Sequence, residues 1–308
     1  MSDKIDDIVG YNSLDFVTNE VVEGFITGLH KSPLHGFSVE FAEHRLYNTG
    51  ESIRNIDWKL YGRSDKLFVK KFEEETNLRC VIVLDKSSSM FFPTNKGLSF
   101  SNPNKMAFSI YASAVIINML YRQQDAFGLA FLSDRIELLT DIKSNITHKK
   151  YLFGLLQSLL TPFNKEKTNQ TNLPILLHQL AGQIHKRSLV IIFTDLISKN
   201  SSEELIDALQ HLKYSKHEVI LFHVEDKEKE KELNFSNRPH RFIDTETKEE
   251  IKINPQEIKD EYKKRYLSEI NKIKTFQNNA SFDFVEVDIN RNFDQILLPY
   301  LIKRTKMY

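Results

Sequence analysis

The chain has 308 residues, of which 41% are hydrophobic and 27% charged, enough apolar material to bury a large core. Its 42 Lys and Arg residues balance 42 Asp and Glu residues, so no net field of either sign draws it to nucleic acid or to an anionic membrane. The single cysteine, Cys80, excludes an intramolecular disulfide and a thiolate metal cluster, and reads as a small apolar core residue.

The acidic start MSDKIDDIVG lacks the pattern of a secretory signal, and the most apolar helical stretch, 112–121, is too short to span a bilayer. Both point to a cytoplasmic protein without membrane insertion. Up to residue 76 the polarity is mixed, with turn signals at Ser32–Pro33, His35–Gly36 and Asn48–Thr49–Gly50 and a strand-like run over 66–72. This part is expected to be an extension, 1–76, of a larger domain over 77–308. His30, His35 and His44 show no ligand spacing that would make a transition-metal site.

From Cys80 onward, apolar strand-like runs alternate with helix-period segments. Strand 80–84 precedes helix 105–122, with Met106, Ile110, Ala114, Ile117 and Leu120 at helical spacing. Strands 126–132 and 136–140, joined through Ser133–Asp134, predict a hairpin. Helices over 151–160 and 173–184 follow, then strand 189–193, helix 203–213 and strand 219–224. The block EDKEKEKE, 225–232, reads as a solvated linker. A small hairpin over 241–253, helix 255–274, strand 282–287 and helix 293–302 complete the order. Continuous apolar strands separated by helices predict a doubly wound α/β domain with a mostly parallel sheet, whose ligands sit at the carboxyl ends of the strands.

Two strands each end in an acid, Asp85 in VIVLDKSSSM and Asp195 in IIFTDL. Ser87 and Ser89 follow the first at alternate positions, giving a carboxylate and two hydroxyls: the oxygen-rich cup that a hard divalent cation requires. Taken alone, Asp85, Ser87 and Ser89 also suit a helix cap or turn.

The run Asp85, Ser87, Ser89 resembles the first motif of a metal-ion-dependent adhesion site in von Willebrand factor A-like domains. Thr171, ahead of the 173–184 helix, and Asp195 stand where that pattern has its remaining oxygens. The resemblance implies that Ser87, Ser89 and often Thr171 bind Mg²⁺ (or Mn²⁺) directly, with Asp85 and Asp195 completing the shell directly or through water. Upstream, Arg45, Tyr47, Gly50, Arg54, Ile56, Asp57, Trp58, Arg63 and the Phe72–Glu73 region resemble the signature of the bacterial domain of unknown function 58 family. Its members join such a segment to a von Willebrand-like domain and commonly accompany a MoxR-type AAA+ ATPase. The implied function is a metal-dependent protein-protein interaction module, an adaptor that binds an acidic residue of such an ATPase or its client.

No catalytic residue is assigned. An aspartyl-phosphate hydrolase would need a second acid two residues after Asp85, where Ser87 stands, and no phosphate loop or nucleophile elbow is present. The alternatives are a metal-dependent hydrolase of phosphate esters and a scaffold with a degenerate site.

Overall fold

A computed structural model describes residues 11–30, 45–46, 68–69, 78–160, 171–196, 202–280 and 282–306. Its contacts form two compact units, Met1–Glu23 with Leu78–Tyr308, and Gly24–Asn77. Helix α1 (Tyr11–His30) contributes to both. In the smaller unit, β1 (Arg45–Leu46) pairs antiparallel with β2 (Phe68–Val69), Leu46 opposite Phe68. Of the upstream signature, Arg45 lies in β1; Tyr47, Gly50, Arg54, Ile56, Asp57, Trp58, Arg63 and Phe72–Glu73 fall outside the described residues, as do His35 and His44.

The larger unit runs β3 (Arg79–Asp85), a 3₁₀ turn (Ser88–Phe91), α2 (Lys105–Arg122), β4 (Ala126–Leu132), β5 (Ile136–Leu139), α3 (Ile146–Leu159), α4 (Leu173–Gln183) and β6 (Leu189–Thr194). It continues through α5 (Ser202–Tyr214), β7 (Glu218–Glu225), β8 (His240–Ile243), β9 (Glu250–Ile253), α6 (Pro255–Ala280), β10 (Asp283–Asp288) and α7 (Asp294–Lys306). The six-stranded sheet has the order β10-β7-β6-β3-β4-β5, and every pairing is parallel except β4–β5. The doubly wound, mostly parallel α/β fold expected from the alternation is therefore present, as are both hairpins.

After β3 the chain moves to β4 on one side and later returns to β6 on the other. The strand order thus reverses at the β3–β6 pair, where Leu84 lies beside Phe193 and the next residues are Asp85 and Thr194. A crevice opens at such a point.

Alternation along the strands divides the core. Val81, Val83, Val190, Ile192, Val219 and Leu221 share one cluster with residues of α4, α5 and α6. On the other side, Phe108 of α2 stacks on Phe293, just ahead of α7, with ring centroids 4.7 Å apart. Helix α2 is buried from Lys105 to Leu120, and its internal hydroxyls, Ser109 and Ser113, donate to the carbonyls of Lys105 and Ser109. Helix α3 starts at Ile146, five residues before the apolar period suggests, because the Asn145 side chain accepts from His148 N at 2.8 Å and caps it. Cys80 is fully buried and burial pushes its thiol pKa well up, in keeping with a core role. Among the described residues no helix is long and apolar enough to cross a membrane.

Candidate metal centre

The crevice is built by the ends of two buried strands. Asp85 ends β3 buried, and both its oxygens are held: Oδ1 accepts from Ser87 N at 2.9 Å and Oδ2 from the Thr194 hydroxyl at 2.8 Å. Ser87 Oγ lies 3.0 Å from Ser89 Oγ, and both serines are buried. Thr171 precedes Asn172, the N-cap of α4, and its Oγ1 is buried with no hydrogen-bond partner among the described residues. Asp195 follows β6 and is 3% exposed.

Asp85, Ser87, Thr171 and Asp195 line one cavity of about 270 Å³, and Ser89 joins them through Ser87. The arrangement concentrates negative charge out of water. Burial first, and then the Asp195 charge, push the Asp85 pKa up to about 6, against the hydrogen bonds from Ser87 and Thr194. Lys86, between the acid and the serines, is directed elsewhere: its ammonium pairs with Glu137 and lies 5.9 Å from the Phe131 ring centroid.

Three groups join the site that sequence reasoning missed. Lys105, the first residue of α2, is fully buried; its Nζ donates to Asp195 Oδ2 at 2.7 Å and also to Glu230. Burial disfavours that ammonium, but the two carboxylates outweigh it and hold its pKa above the ordinary lysine value. For Glu230 burial dominates and raises the carboxyl pKa, with Lys105 opposing. His223 is buried, and burial lowers its pKa to about 4. Its Nε2 lies 3.1 Å from the Asp195 carbonyl. Because a carbonyl only accepts, Nε2 carries the proton and Nδ1, which has no partner among the described residues, is a bare lone pair.

Glu230 also corrects the reading of 225–232 as a solvated linker. Glu225 and Asp226 are buried, and Lys227–Lys231 form one π-helical turn. The alternating charges find partners on other elements: Asp226 with Lys96 at 3.2 Å, Lys231 with Glu286 at 2.6 Å, and Glu225 with the Tyr266 hydroxyl. One side of the cavity is formed by α6, through Tyr262, Arg265, Tyr266, Glu269, Ile270 and Ile273, a single helical face. That helix was expected, but not its place beside the cup.

Among the described residues no three His, Cys, Asp or Glu side chains cluster as metal ligands. The candidate centre is instead hydroxyl-rich. Two carboxylates, two linked serine hydroxyls and the unpartnered Thr171 hydroxyl form a hard oxygen set that fits Mg²⁺ or Mn²⁺. Lys105 already neutralises part of the Asp195 charge, so Asp85 has the most to gain from a cation.

A family model described as "Protein of unknown function DUF58" matches residues 43–272. The uncharacterized protein Rv1480 of Mycobacterium tuberculosis is 28% identical over 82 residues, which is 27% of this chain and 26% of that protein. The chain thus aligns with about a quarter of that relative's length. Among solved structures, the conserved hypothetical protein BatB from Bacteroides thetaiotaomicron has a TM-score of 0.45 at 14% identity, covering 75% of this chain and 100% of that one. The SpRpn10 VWA domain has a TM-score of 0.41 at 12% identity, covering 71% and 92%.

Proposed function

The chain belongs to the DUF58 family, and on that footing we propose that it is a non-catalytic protein-binding module. In this reading Asp85, Ser87, Ser89, Thr171 and Asp195 hold Mg²⁺ or Mn²⁺ and, through it, an acidic side chain of a partner. The observation that carries the reading is the meeting of Asp85, Ser87, Thr171 and Asp195 on one cavity, with the Thr171 hydroxyl buried and unpartnered. A divalent ion supplies a water position that a carboxylate can take over.

The chain's own residues do the positioning. The Ser87 amide and the Thr194 hydroxyl fix both oxygens of Asp85, so this carboxylate is oriented before any ligand arrives. Lys105 holds Asp195 and keeps two neighbouring acids from standing unpaired in a dry site. Catalysis is disfavoured because Ser87 stands where a phosphohydrolase has its general acid.

The partner that the family resemblance suggests is a MoxR-type AAA+ ATPase or its client, with this chain as adaptor. Titration calorimetry with MgCl₂ and MnCl₂, alongside pull-down of the ATPase by wild type and Asp85→Ala, tests the reading. Cation binding with loss of pull-down in the variant supports it. Absence of heat with either cation, together with an unchanged pull-down, overturns it. Phosphoester turnover abolished by Asp85→Asn would replace it with the hydrolase.

A further inference from the structure

The cavity beside α6 is polar at one end and apolar along its walls. Asp85, Ser87, Thr171 and Asp195 form the polar end, and Leu173, Leu205, Ile270 and Ile273 stand along the sides. Two buried polar atoms of its lining residues, Thr171 Oγ1 and His223 Nδ1, have no partner among the described residues. One is a hydroxyl suited to an oxygen ligand shell, the other a lone pair that asks for an N–H. Arg265, also lining the cavity, is exposed and makes no ion pair or hydrogen bond among the described residues. Glu269, one turn further along α6, already has its charge matched by Lys272 at 2.8 Å and accepts from the Ser202 hydroxyl at 3.0 Å.

Resting on the cup reading above, we infer that this cavity admits an extended peptide segment with an acidic residue, then an aliphatic one, then a second acid. The first carboxylate seats at the cup. The aliphatic side chain packs on the Leu173, Leu205 and Ile270 wall, a backbone N–H serves His223 Nδ1, and the second carboxylate pairs with Arg265. Size agrees: about 270 Å³ is just below the roughly 300–1,000 Å³ of small-molecule sites and suits two side chains better than a nucleotide. Chemistry agrees as well. A simple phosphate ester brings neither an N–H for His223 nor an apolar stem for the wall, whereas a peptide brings both. The guanidinium is the side chain best matched to a carboxylate fork.

The test uses the full chain and a fluorescein-labelled, end-blocked peptide Gly-Asp-Leu-Glu-Gly, with variants carrying Asn for Asp, Ser for Leu and Gln for Glu. Anisotropy is read with and without MgCl₂, and Mg²⁺ heats are measured in parallel. The parent peptide is expected to bind in Mg²⁺. Replacing its Asp or its Leu should weaken binding by about tenfold each. Arg265→Ala should weaken the parent by about fivefold, leave the Gln-bearing peptide unmoved and leave the Mg²⁺ heat unchanged. A normal Mg²⁺ heat with no parent binding, or with indifference to Leu→Ser or to Arg265→Ala, overturns this inference and leaves the cup reading standing. No heat with Mg²⁺ or Mn²⁺ in the wild type, together with a pull-down unchanged in Asp85→Ala, overturns both.

Discussion

Replacing Lys105 by methionine removes a buried ammonium while keeping most of its volume. Its side chain is 0% exposed, and those of its partners Asp195 and Glu230 are 2% and 12% exposed. Breaking a buried ion pair by deleting one partner typically destabilises by about 3–5 kcal/mol, because a charge is left unmatched. Here two carboxylates lose their cation. A small part returns because a cation in the first turn of a helix opposes its dipole, by about 0.3–1 kcal/mol. The net expectation is a loss of about 3–4 kcal/mol, or a Tm lower by roughly 6–8 °C at about 2 °C per kcal/mol for a unit of this size. Adding Glu230→Gln should recover about half of the loss, since one unmatched charge then remains instead of two. Scanning calorimetry of the two single variants and the double variant forms the cycle. A Tm within a degree of wild type for Lys105→Met, or strict additivity with Glu230→Gln, would refute the reasoning.

Gly128→Ala should destabilise by about 1–3 kcal/mol, reversing the usual benefit of this exchange in an extended strand: a Cβ there would stand 2.9 Å from the Asp141 carbonyl oxygen and 3.1 Å from Thr140 Oγ1. The urea midpoint reads this directly. Ile192→Ala, in a fully buried strand of the core, should lower stability by about 2–5 kcal/mol with the urea m-value unchanged. Burial holds the pKa values of His148 and His217 below the ordinary imidazole value. At these two positions the unfolded chain therefore takes up protons first as pH falls below about 6.5, and the contribution of these two imidazoles to stability is expected to fall from there downward. Urea melts across that window, with His217→Asn flattening the slope, check the sign; a slope unaltered by the variant removes His217 from the account.

The sheet was legible because its cause is local. Apolar runs that stop at Asp85 and Asp195 state both that a strand is buried on two faces and where it meets the crevice. The hydroxyl pattern after Asp85 was legible for the same reason. What escaped was long-range pairing. Lys105 reads as the polar opening of a helix, and its partners lie 90 and 125 residues away. Glu230 sits in a run whose composition says water, and only the fold brings Lys105 within its reach. Tyr262, Tyr266 and Ile273 carried a periodic signal that located a helix face but could not say what the face covers.

The first turns of α1 have a practical consequence for dissecting the molecule. Lys149, on α3 and 5% exposed, places its ammonium 2.7 Å from Asp15 and 2.9 Å from the Asn118 amide oxygen, while Asn19 accepts from Asn118 and Arg122. An excised fragment beginning at Leu78 would strip these groups of their counterparts and would lose the buried side chains of Leu14, Val17 and Val22. A minimal α/β piece made for crystallisation or binding assays should therefore carry the leading helix with it, supplied in trans as a peptide if it cannot be kept in the same polypeptide.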